Sequence, residues 1–434
     1  MVIGIVHDEF GCYFAELFFS RSAALLFLFH HWLGAAFIQQ ARLERMAEAV
    51  ISPTPVVTGM NEKSFNCIRV SSSALQHNYT VIKNLAGTDV PVMAMVKADA
   101  YGHGMVMAAR AFARAGCGTF GVAELREAVI LREAGIKGAI YVTLGFLPED
   151  IELLFRYDLI PVIYTYETAR LLADKATALG QEIGVHIKID SGMSRLGWLP
   201  DELPGFVAGI ATLPGIRIAG MMSHFPEADI SGSASTARGY QIFSEVCREI
   251  KSRFGGICHI ANSGAVLNFP ASYCDIVRSG IALYGYHPAG RSVGDDKNAA
   301  NLIPAMSFVT RIMQVKTLPA GSGVSYGHTY RAEGPITLAV LPVGYEDGFS
   351  RLFSNRGQVL IHGRRVPVLG RVCMNMCMVD VTGIEDVRAG DEVVVMGRQG
   401  SEVISAEDLA EGMTSISYEV LCLLGNNNQR EYIE

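Results

Sequence analysis

Short apolar runs alternate with amphipathic stretches through the middle of the chain, from about residue 67 to residue 300. Runs such as "PVMAMV" and "AIYVTL" are uniformly apolar, while intervening segments such as "YETARLLADKATALG" keep apolar residues at helical spacing. Uniformly apolar runs are typical of parallel strands that are covered on both faces. The pattern predicts at least seven strands with helices between them, either as an open doubly wound sheet or as a closed (β/α)8 TIM-type barrel.

Polar side chains stand just beyond the ends of most predicted strands, and they favour the closed barrel. They are Lys97, Lys188, Arg195, His224, Asn262, Ser263 and Arg278. Strand ends converge on one mouth in a barrel, whereas an open sheet spreads them along an edge. We therefore expect a functional site at the mouth of an α/β barrel.

The sequence changes character after about residue 305. Alternating, glycine-rich segments such as "ITLAVLPVGY" and "QVLIHGRRVPVLGRV" replace the helical spacing, which predicts a mostly antiparallel β domain. We divide the chain into a barrel over residues 60–305 and a β domain over residues 306–434. Near the end, "SAEDLAEGM" predicts a helix with Ser405 as its N-cap and Asp408 three residues on.

The first 59 residues do not match either pattern. Their apolar stretch, residues 22–38, is short for a membrane span and contains His30 and His31, and acidic residues precede it where a signal peptide would be positive. Met60 opens a segment typical of a cytosolic start. We expect residues 1–59 to lie outside the catalytic fold, through a misread start codon or, alternatively, as a hydrophobic anchor.

Composition argues against several classes of protein. A net charge of −7 and the lack of a long Lys/Arg run give no electrostatic reason to expect a nucleic-acid partner. Nine cysteines form an odd set with no repeating pattern, which indicates reduced thiols in a cytoplasmic protein. Cys373 and Cys377 form a C-x3-C pair without a second ligand pair, so we predict no metal site.

Lys97 stands at the end of a predicted buried strand, and an unpaired lysine is costly to bury. It can reach the surface, pair with Asp99, or be consumed in a Schiff base with an aldehyde. Pyridoxal 5′-phosphate is the obvious aldehyde, and its phosphate needs N–H and hydroxyl donors near helix starts. The segments "ANSGA" and "RSGIA" offer such donors on late strands, and Arg278 can reach inward to the pyridine nitrogen.

Nine motifs in one order, over about residues 60 to 425, carry a resemblance to a known family. They include "VKADAYGHG", "KIDSGMSRLG", "VRSGIALYG", "SYGHTY", "GRVCMNMCMVD" and "SYEVLC". The chain resembles the alanine racemases, which are fold-type III pyridoxal-phosphate enzymes. The resemblance implies that two bases interconvert L-alanine and D-alanine, supplying D-alanine for peptidoglycan.

The resemblance also implies roles for individual residues. Lys97 would hold the cofactor covalently and act on the D-isomer, and Tyr326 would be the opposing base that acts on the L-isomer. The residues implied to hold the phosphate are Tyr101, Ser263, Gly280, Ile281 and Tyr418. Asn262 belongs to the same cofactor loop as Ser263. Arg278 would face the pyridine nitrogen, with His224 between it and Tyr326.

Further implied positions surround the substrate. Arg195 would lie near the cofactor's phenolic oxygen and the substrate carboxylate, and Lys188, often carbamylated in the family, would position it. The backbone at Met374 would contact the same carboxylate, and Tyr345 would stand at the entrance. Because Tyr326 belongs to the β domain, the resemblance implies a head-to-tail homodimer in which each subunit completes its partner's site.

Other residues are expected to be structural. We interpret His103 and His328 as turn or packing residues, Tyr330 as a border of the site, and Asp347 as turn chemistry. Asn375 stands where many relatives carry aspartate, which leaves the detail of the carboxylate loop open.

Two alternatives stay open. One is a racemase for another amino acid (serine, lysine or ornithine), and the other is a non-catalytic protein that binds pyridoxal phosphate.

Overall fold

The computed structural model describes residues 64–290 and 301–434. The expected extension, residues 1–59, lies outside the described residues. Strand β1 (Cys67–Ser71) comes first and leads directly into helix α1 (Ser72–Ala86). The helix begins there because Ser71 Oγ accepts a hydrogen bond from Ala74 N at 3.1 Å, which satisfies one of the free N–H groups of the first turn.

Eight parallel strands form the barrel. In chain order they are β2 (Val92–Met95), β3 (Thr119–Glu124), β4 (Ala139–Gly145), β5 (Ile160–Ile163), β6 (Ile183–Lys188), β7 (Ile216–Met222), β8 (Ile257–His259) and β9 (Val277–Ser279). The helices between them are α2 (Met105–Arg114), α3 (Leu125–Glu133), α4 (Ile151–Arg156), α5 (Tyr166–Leu179), α6 (Leu203–Ile210), α7 (Ala234–Phe254) and α8 (Ser263–Asn268). The predicted (β/α)8 barrel is confirmed.

The strand order around the barrel is β8-β7-β6-β5-β4-β3-β2-β9. A backbone hydrogen bond from Arg278 N to Ala261 O, at 2.9 Å, joins the segments at the two ends of this path. All four residues of β2 are buried, as its uniformly apolar sequence predicts. Helix α5 shows how the local sequence sets the helix ends, since Thr165 caps its start and Gly180 adopts a left-handed conformation (φ 63°) at its end.

The second part of the chain is mostly antiparallel sheet. Its strands are β10 (Met306–Arg311), β11 (Gln314–Leu318), β12 (Gly323–Val324), β13 (Tyr330–Arg331), β14 (Ile336–Leu341), β15 (Gln358–Ile361), β16 (Arg364–Pro367), β17 (Cys377–Asp380), β18 (Glu392–Gln399), β19 (Glu402–Ile404) and β20 (Gln429–Ile433). Two helices, α9 (Ala406–Met413) and α10 (Ser417–Asn427), precede the last strand. The predicted cap of α9 is confirmed, because Ser405 Oγ accepts a hydrogen bond from Asp408 N at 3.2 Å.

The largest sheet of this part has the order β16-β15-β18-β10-β1-β20, with β19 paired to β18. Strand β1 pairs antiparallel with β10 and parallel with β20. Although β1 falls in the range assigned to the barrel, its ladder therefore belongs to the sheet of the β domain. The first and last strands of the described chain lie side by side, which brings the C-terminal residues close to the barrel.

A layer of rings fills part of the barrel interior. Tyr141 on β4, His186 on β6 and His259 on β8 meet with ring centroids 5.0 to 5.8 Å apart. Side chains from alternate strands pack together in this way in a closed barrel. This layer is more polar than the branched apolar side chains that usually fill a barrel interior. In residues 64–290 and 301–434, no helix combines the length and apolar character needed to cross a membrane.

Candidate active site

The turn after β2 has an unusual backbone. Ala98, Asp99, Ala100 and Tyr101 all have φ between 50° and 56°, and Gly102 continues the turn at φ 80°. A left-handed conformation costs a non-glycine residue about 1–2 kcal/mol, so four in succession need strong support from their surroundings. One support comes from α3, because Glu127 Oε1 accepts a hydrogen bond from Ala98 N at 2.7 Å. The turn begins directly after Lys97 and ends at Tyr101, whose ring packs against the barrel.

Lys97 lies at the mouth of the barrel and is partly buried. Burial, and then the positive charge of Arg195, lower its pKa from the ordinary value of a lysine. Its amine has no hydrogen-bond partner among the described residues, and the alternative pairing with Asp99 is not seen because Asp99 pairs with Arg430 at 2.6 Å. A desolvated amine with a lowered pKa is suited to covalent chemistry with an aldehyde.

The predicted phosphate residues come together beside this lysine. Ser263 Oγ accepts hydrogen bonds from Gly280 N at 2.8 Å and from Ala282 N at 3.4 Å, which joins the start of α8 to the 3-10 turn Ile281–Tyr284. The ring of Tyr101 lies 4.9 Å from that of Tyr284 and 6.0 Å from that of Tyr418. Two helical starts at one mouth present N–H groups suited to an anion.

Two further members of this loop have structural contacts. Asn262 caps α8, since its Oδ1 accepts a hydrogen bond from Ala265 N at 3.1 Å, and its Nδ2 donates to Phe225 O at 3.3 Å. Ile281, at the start of the 3-10 turn, is almost fully buried. A Cβ added to Gly280 would collide with the hydroxyl of Tyr101, so only glycine allows that hydroxyl to approach the backbone.

Arg278 is fully buried and is held by a chain of histidines. Its Nη1 donates to His259 Nδ1 at 3.1 Å, and its Nη2 lies 3.2 Å from His224 Nδ1. Because an arginine can only donate, His259 carries its proton on Nε2 and donates it to His186 Nδ1 at 2.8 Å. Burial lowers the pKa of Arg278 to about 9 and that of His186 to about 3, so the histidines stay neutral.

The Nε of Arg278 is available as a donor. Within the part of the chain that the structure describes, its Nε makes no hydrogen bond, while both terminal nitrogens are engaged by histidines and by the carbonyls of Ser223 (2.7 Å) and Ile260 (3.2 Å). This donor suits a ring nitrogen that accepts a hydrogen bond.

Lys188 and Arg195 add positive charge at the same mouth. Burial, and then the positive charges of Arg278 and Arg195, lower the pKa of Lys188 to about 7. Arg195 is exposed in the loop after β6, where Asp190 Oδ1 accepts hydrogen bonds from Gly192 N at 2.9 Å and Ser194 N at 3.0 Å. Neither cation forms an ion pair with a carboxylate of the described residues. The site therefore favours anions such as a phosphate and a carboxylate.

Three further predicted residues lie on neighbouring loops of the β domain. Tyr326, Met374 and Tyr345 are 71%, 55% and 42% exposed. Two hydrogen bonds join their loops, because Tyr345 N donates to Cys373 O at 3.1 Å and the Ser325 hydroxyl donates to Arg371 O at 2.7 Å. In the described ranges, no hydrogen bond or ring contact connects Tyr326 to Lys97.

Asp347 does more than stabilise its own turn. Its buried carboxylate accepts hydrogen bonds from Asn66 Nδ2 and from Gly344 N, each at 2.9 Å. The contact ties the turn that carries Tyr345 to the segment before β1. The spacing of "YEDG" indicates a turn. The sequence around Asp347 does not show that its partner is Asn66, because the two residues are far apart in the chain.

The interpretation of His103 as a packing residue is confirmed. The side chain is fully buried, its Nδ1 lies 3.0 Å from both Ala100 O and Tyr101 O, and its ring centroid is 4.5 Å from that of Tyr284. Burial lowers its pKa to about 4, so the ring is neutral. His328 is exposed, and its ring lies over Gly323, where a Cβ would overlap it.

The mouth of this parallel (β/α)8 barrel holds an unpaired lysine, a buried arginine and a phosphate cradle, by which we mean Ser263, Gly280 and Tyr101. This combination defines a pyridoxal-phosphate-dependent enzyme. A family model described as the alanine racemase N-terminal domain matches residues 70–288, and one described as the C-terminal domain matches residues 305–432. The chain belongs to the alanine racemase family.

Relatives from several bacteria agree with this membership. The alanine racemase of Halothermothrix orenii is 43% identical over 365 residues, which cover 84% of this chain and 95% of that protein. That of Syntrophobacter fumaroxidans is 39% identical over 366 residues, covering 84% of this chain and 96% of that protein.

Solved structures of alanine racemases also match the fold. The enzyme of Clostridium difficile 630 has 33% identity and a TM-score of 0.80, covering 86% of this chain and 97% of that one. The enzyme of Bartonella henselae, solved with covalently bound pyridoxal phosphate, has 27% identity and a TM-score of 0.76, covering 86% of this chain and all of that one.

We expect Gly280→Ala to weaken the binding of pyridoxal phosphate by about tenfold or more, because the methyl group displaces the Tyr101 ring from a packed position. Titration of the apoprotein with the cofactor, followed by absorbance, measures the change.

Gly205→Ala is the matched control. Gly205 lies in α6 with no atom near its added Cβ, so the substitution should leave cofactor affinity unchanged and stability equal or slightly higher. Equal cofactor affinity in both variants would contradict the assignment of Gly280 to the cradle.

Proposed function

We propose that this protein is an alanine racemase that interconverts L-alanine and D-alanine, and that its product supplies peptidoglycan synthesis. The observation that carries the proposal is the unpaired, partly buried Lys97 at the mouth of the barrel, beside the cradle formed by Ser263, Gly280 and Tyr101. Family membership supports alanine as the substrate. The unpaired thiols of the described cysteines are compatible with a cytoplasmic enzyme.

Inversion at the α-carbon needs a proton to leave one face and another to arrive on the opposite face. A single base on one face would tend to restore the starting isomer, so two bases are the direct solution. Lys97 would exchange the proton on the face of the D-isomer, and Tyr326 on that of the L-isomer. A positioned base of this kind contributes roughly 10²–10⁴-fold to the rate.

Bound pyridoxal phosphate would supply an electron sink for the α-carbon. Ser263, Gly280, Ile281, Tyr101 and Tyr418 would hold its phosphate, and Asn262 would keep the start of α8 in place. The free Nε of Arg278 would donate to the ring nitrogen, and the neutral histidines would fix the orientation of the guanidinium.

Arg195 would bind the substrate carboxylate, because it is a cation without an acidic partner in the described chain. The backbone at Met374 would make a second contact with that carboxylate, and Tyr345 would narrow the entrance.

Tyr326 would act across the interface of a head-to-tail homodimer. Its 71% exposure in one subunit supports this proposal, since a catalytic phenol is sheltered from water only if another surface covers it. The pocket of the partner subunit's barrel is the surface with the complementary lysine.

An assay of purified protein with added cofactor tests the activity. Circular dichroism across a panel of L-amino acids should show loss of optical activity that is fastest for alanine. Faster racemisation of serine, lysine or ornithine would favour the first alternative, and cofactor absorbance without turnover would favour the non-catalytic one.

Complementation tests the shared site. Lys97→Ala and Tyr326→Phe should each be nearly inactive. After subunit exchange in an equal mixture, half of the dimers are mixed and each of these has one intact site, so activity should return to about a quarter of the wild-type value.

Mixtures prepared without exchange, which contain only the two parent homodimers, are the control and should stay inactive. No recovery after verified exchange would show that both bases come from one chain, and would overturn the proposed dimer site.

Lys188 would carry a carbamate. With a pKa near 7, part of its amine is neutral at physiological pH, and Nζ can form a bond to the carbon of CO2 with release of one proton. The carbamate oxygens would accept hydrogen bonds from Arg195. We expect a carbamate signal in carbon NMR with labelled bicarbonate that is absent from Lys188→Gln, and a rate that falls when CO2 is removed. A spectrum without this signal in the wild-type protein contradicts the modification.

A further inference from the structure

The last strand of the chain reaches back to the left-handed turn. Arg430, on β20, forms an ion pair with Asp99 Oδ2 at 2.6 Å and donates from Nε to Gly102 O at 2.9 Å. Asp99 Oδ1 in turn accepts a hydrogen bond from Met105 N at 2.7 Å, at the start of α2. One guanidinium therefore contacts both the middle and the end of the turn.

Helix α10 presses against the same turn. A Cβ added to Gly102 would overlap the carbonyl of Leu421, and one added to Gly425 would overlap the backbone of Gly102. A Cβ on Gly104 would overlap the hydroxyl of Tyr432 on β20. The C-terminal segment thus packs along the turn without intervening space, and Arg430 supplies its charged contact.

These contacts explain how four non-glycine residues stay left-handed. The hydrogen bond from Ala98 N to Glu127 fixes the first residue of the turn, and Arg430 fixes Asp99 and Gly102. Without the second contact, the residues between them could relax toward the right-handed region, which is favoured for alanine and aspartate. Lys97 precedes the turn and Tyr101 ends it, so relaxation would move both side chains relative to the cradle.

We propose that Arg430 is a positioning residue, which holds the turn left-handed so that the Lys97 amine and the Tyr101 hydroxyl face one cofactor. The inference rests on the proposed function, in which Lys97 binds the cofactor covalently. Arg430 touches neither substrate nor cofactor in this arrangement. It acts through Asp99 and Gly102.

The experiment compares Arg430→Ala, Arg430→Lys and Asp99→Asn in the full-length protein. Cofactor affinity is measured by titrating apoprotein with pyridoxal phosphate, and the induced circular dichroism of the bound cofactor reports its orientation. We expect Arg430→Ala to lower affinity and kcat by about tenfold or more and to change the dichroism, because a charge-assisted contact is lost. Arg430→Lys should recover part of each effect, since it keeps the charge but not both contacts.

Arg69→Ala is the matched control. Arg69 pairs with Glu431 at 3.7 Å and with Glu392 at 3.0 Å, so it ties down the same C-terminal strand without touching the turn. If Arg430 only anchors β20, then Arg69→Ala should perturb dichroism and affinity as much as Arg430→Ala does, and the inference is wrong. If Arg430→Ala does not fold, Asp99→Asn decides, because it removes the ion pair and leaves the bond to Gly102 intact.

Lys97→Ala separates this inference from the function on which it rests. Loss of covalent cofactor binding in Lys97→Ala, with wild-type affinity and dichroism in Arg430→Ala and Asp99→Asn, would overturn the positioning role alone. Covalent binding that survives in Lys97→Ala would overturn the proposed role of the lysine itself.

Discussion

The left-handed turn after β2 is the constraint on which the site depends. Four non-glycine residues in this conformation cost roughly 4–8 kcal/mol in total, comparable with the net stability of many domains. The turn persists because contacts from two sides oppose relaxation, with Glu127 on α3 at its start and Arg430 on β20 at its end. A right-handed turn would not direct Lys97 and Tyr101 to the same cradle. The strained backbone is thus the price of placing an amine and a hydroxyl together at the mouth of the barrel.

The same mouth concentrates positive charge in a poorly solvated place. Burial, and then the charges of Arg278, Lys188, Arg195 and Lys97, lower the pKa of His224, which indicates that these four cations share one electrostatic environment. Burial is the largest cause of the lowered pKa values of Lys97 and Lys188. Desolvation and like charge act in the same direction here, and both favour neutral amines. An anionic ligand relieves the repulsion among these cations, so the same electrostatics give the site affinity for phosphate and carboxylate groups.

Sequence reasoning recovered the features that depend on local pattern. The uniformly apolar runs became the barrel strands, and the Ser405 cap follows from a spacing of three residues. It did not recover contacts between distant segments. Strand β1 leads directly into a helix, as the barrel strands do, yet it pairs with β20 in the β-domain sheet. Glu127 and Arg430 look like ordinary surface charges in sequence, and nothing near them shows that their partners are Ala98 and Asp99. The histidine chain behind Arg278 was missed for the same reason, because it joins alternate strands across the barrel interior.

The exposure of Tyr326 follows from the geometry of a barrel. All strand ends approach the mouth from one side, so a barrel can place Lys97 against one face of a flat cofactor but leaves the opposite face to solvent. The β domain of the same chain is tied beside the turn by β1, β20 and Arg430, and in our proposal it does not cover that face. A second copy of the chain meets both needs in our proposal, since its Tyr326 would supply the opposing base and its surface would exclude water. The contacts of Arg430 with the turn orient the lysine, and the same attachment of the C-terminal strand to the barrel leaves the opposing base to a partner's tyrosine.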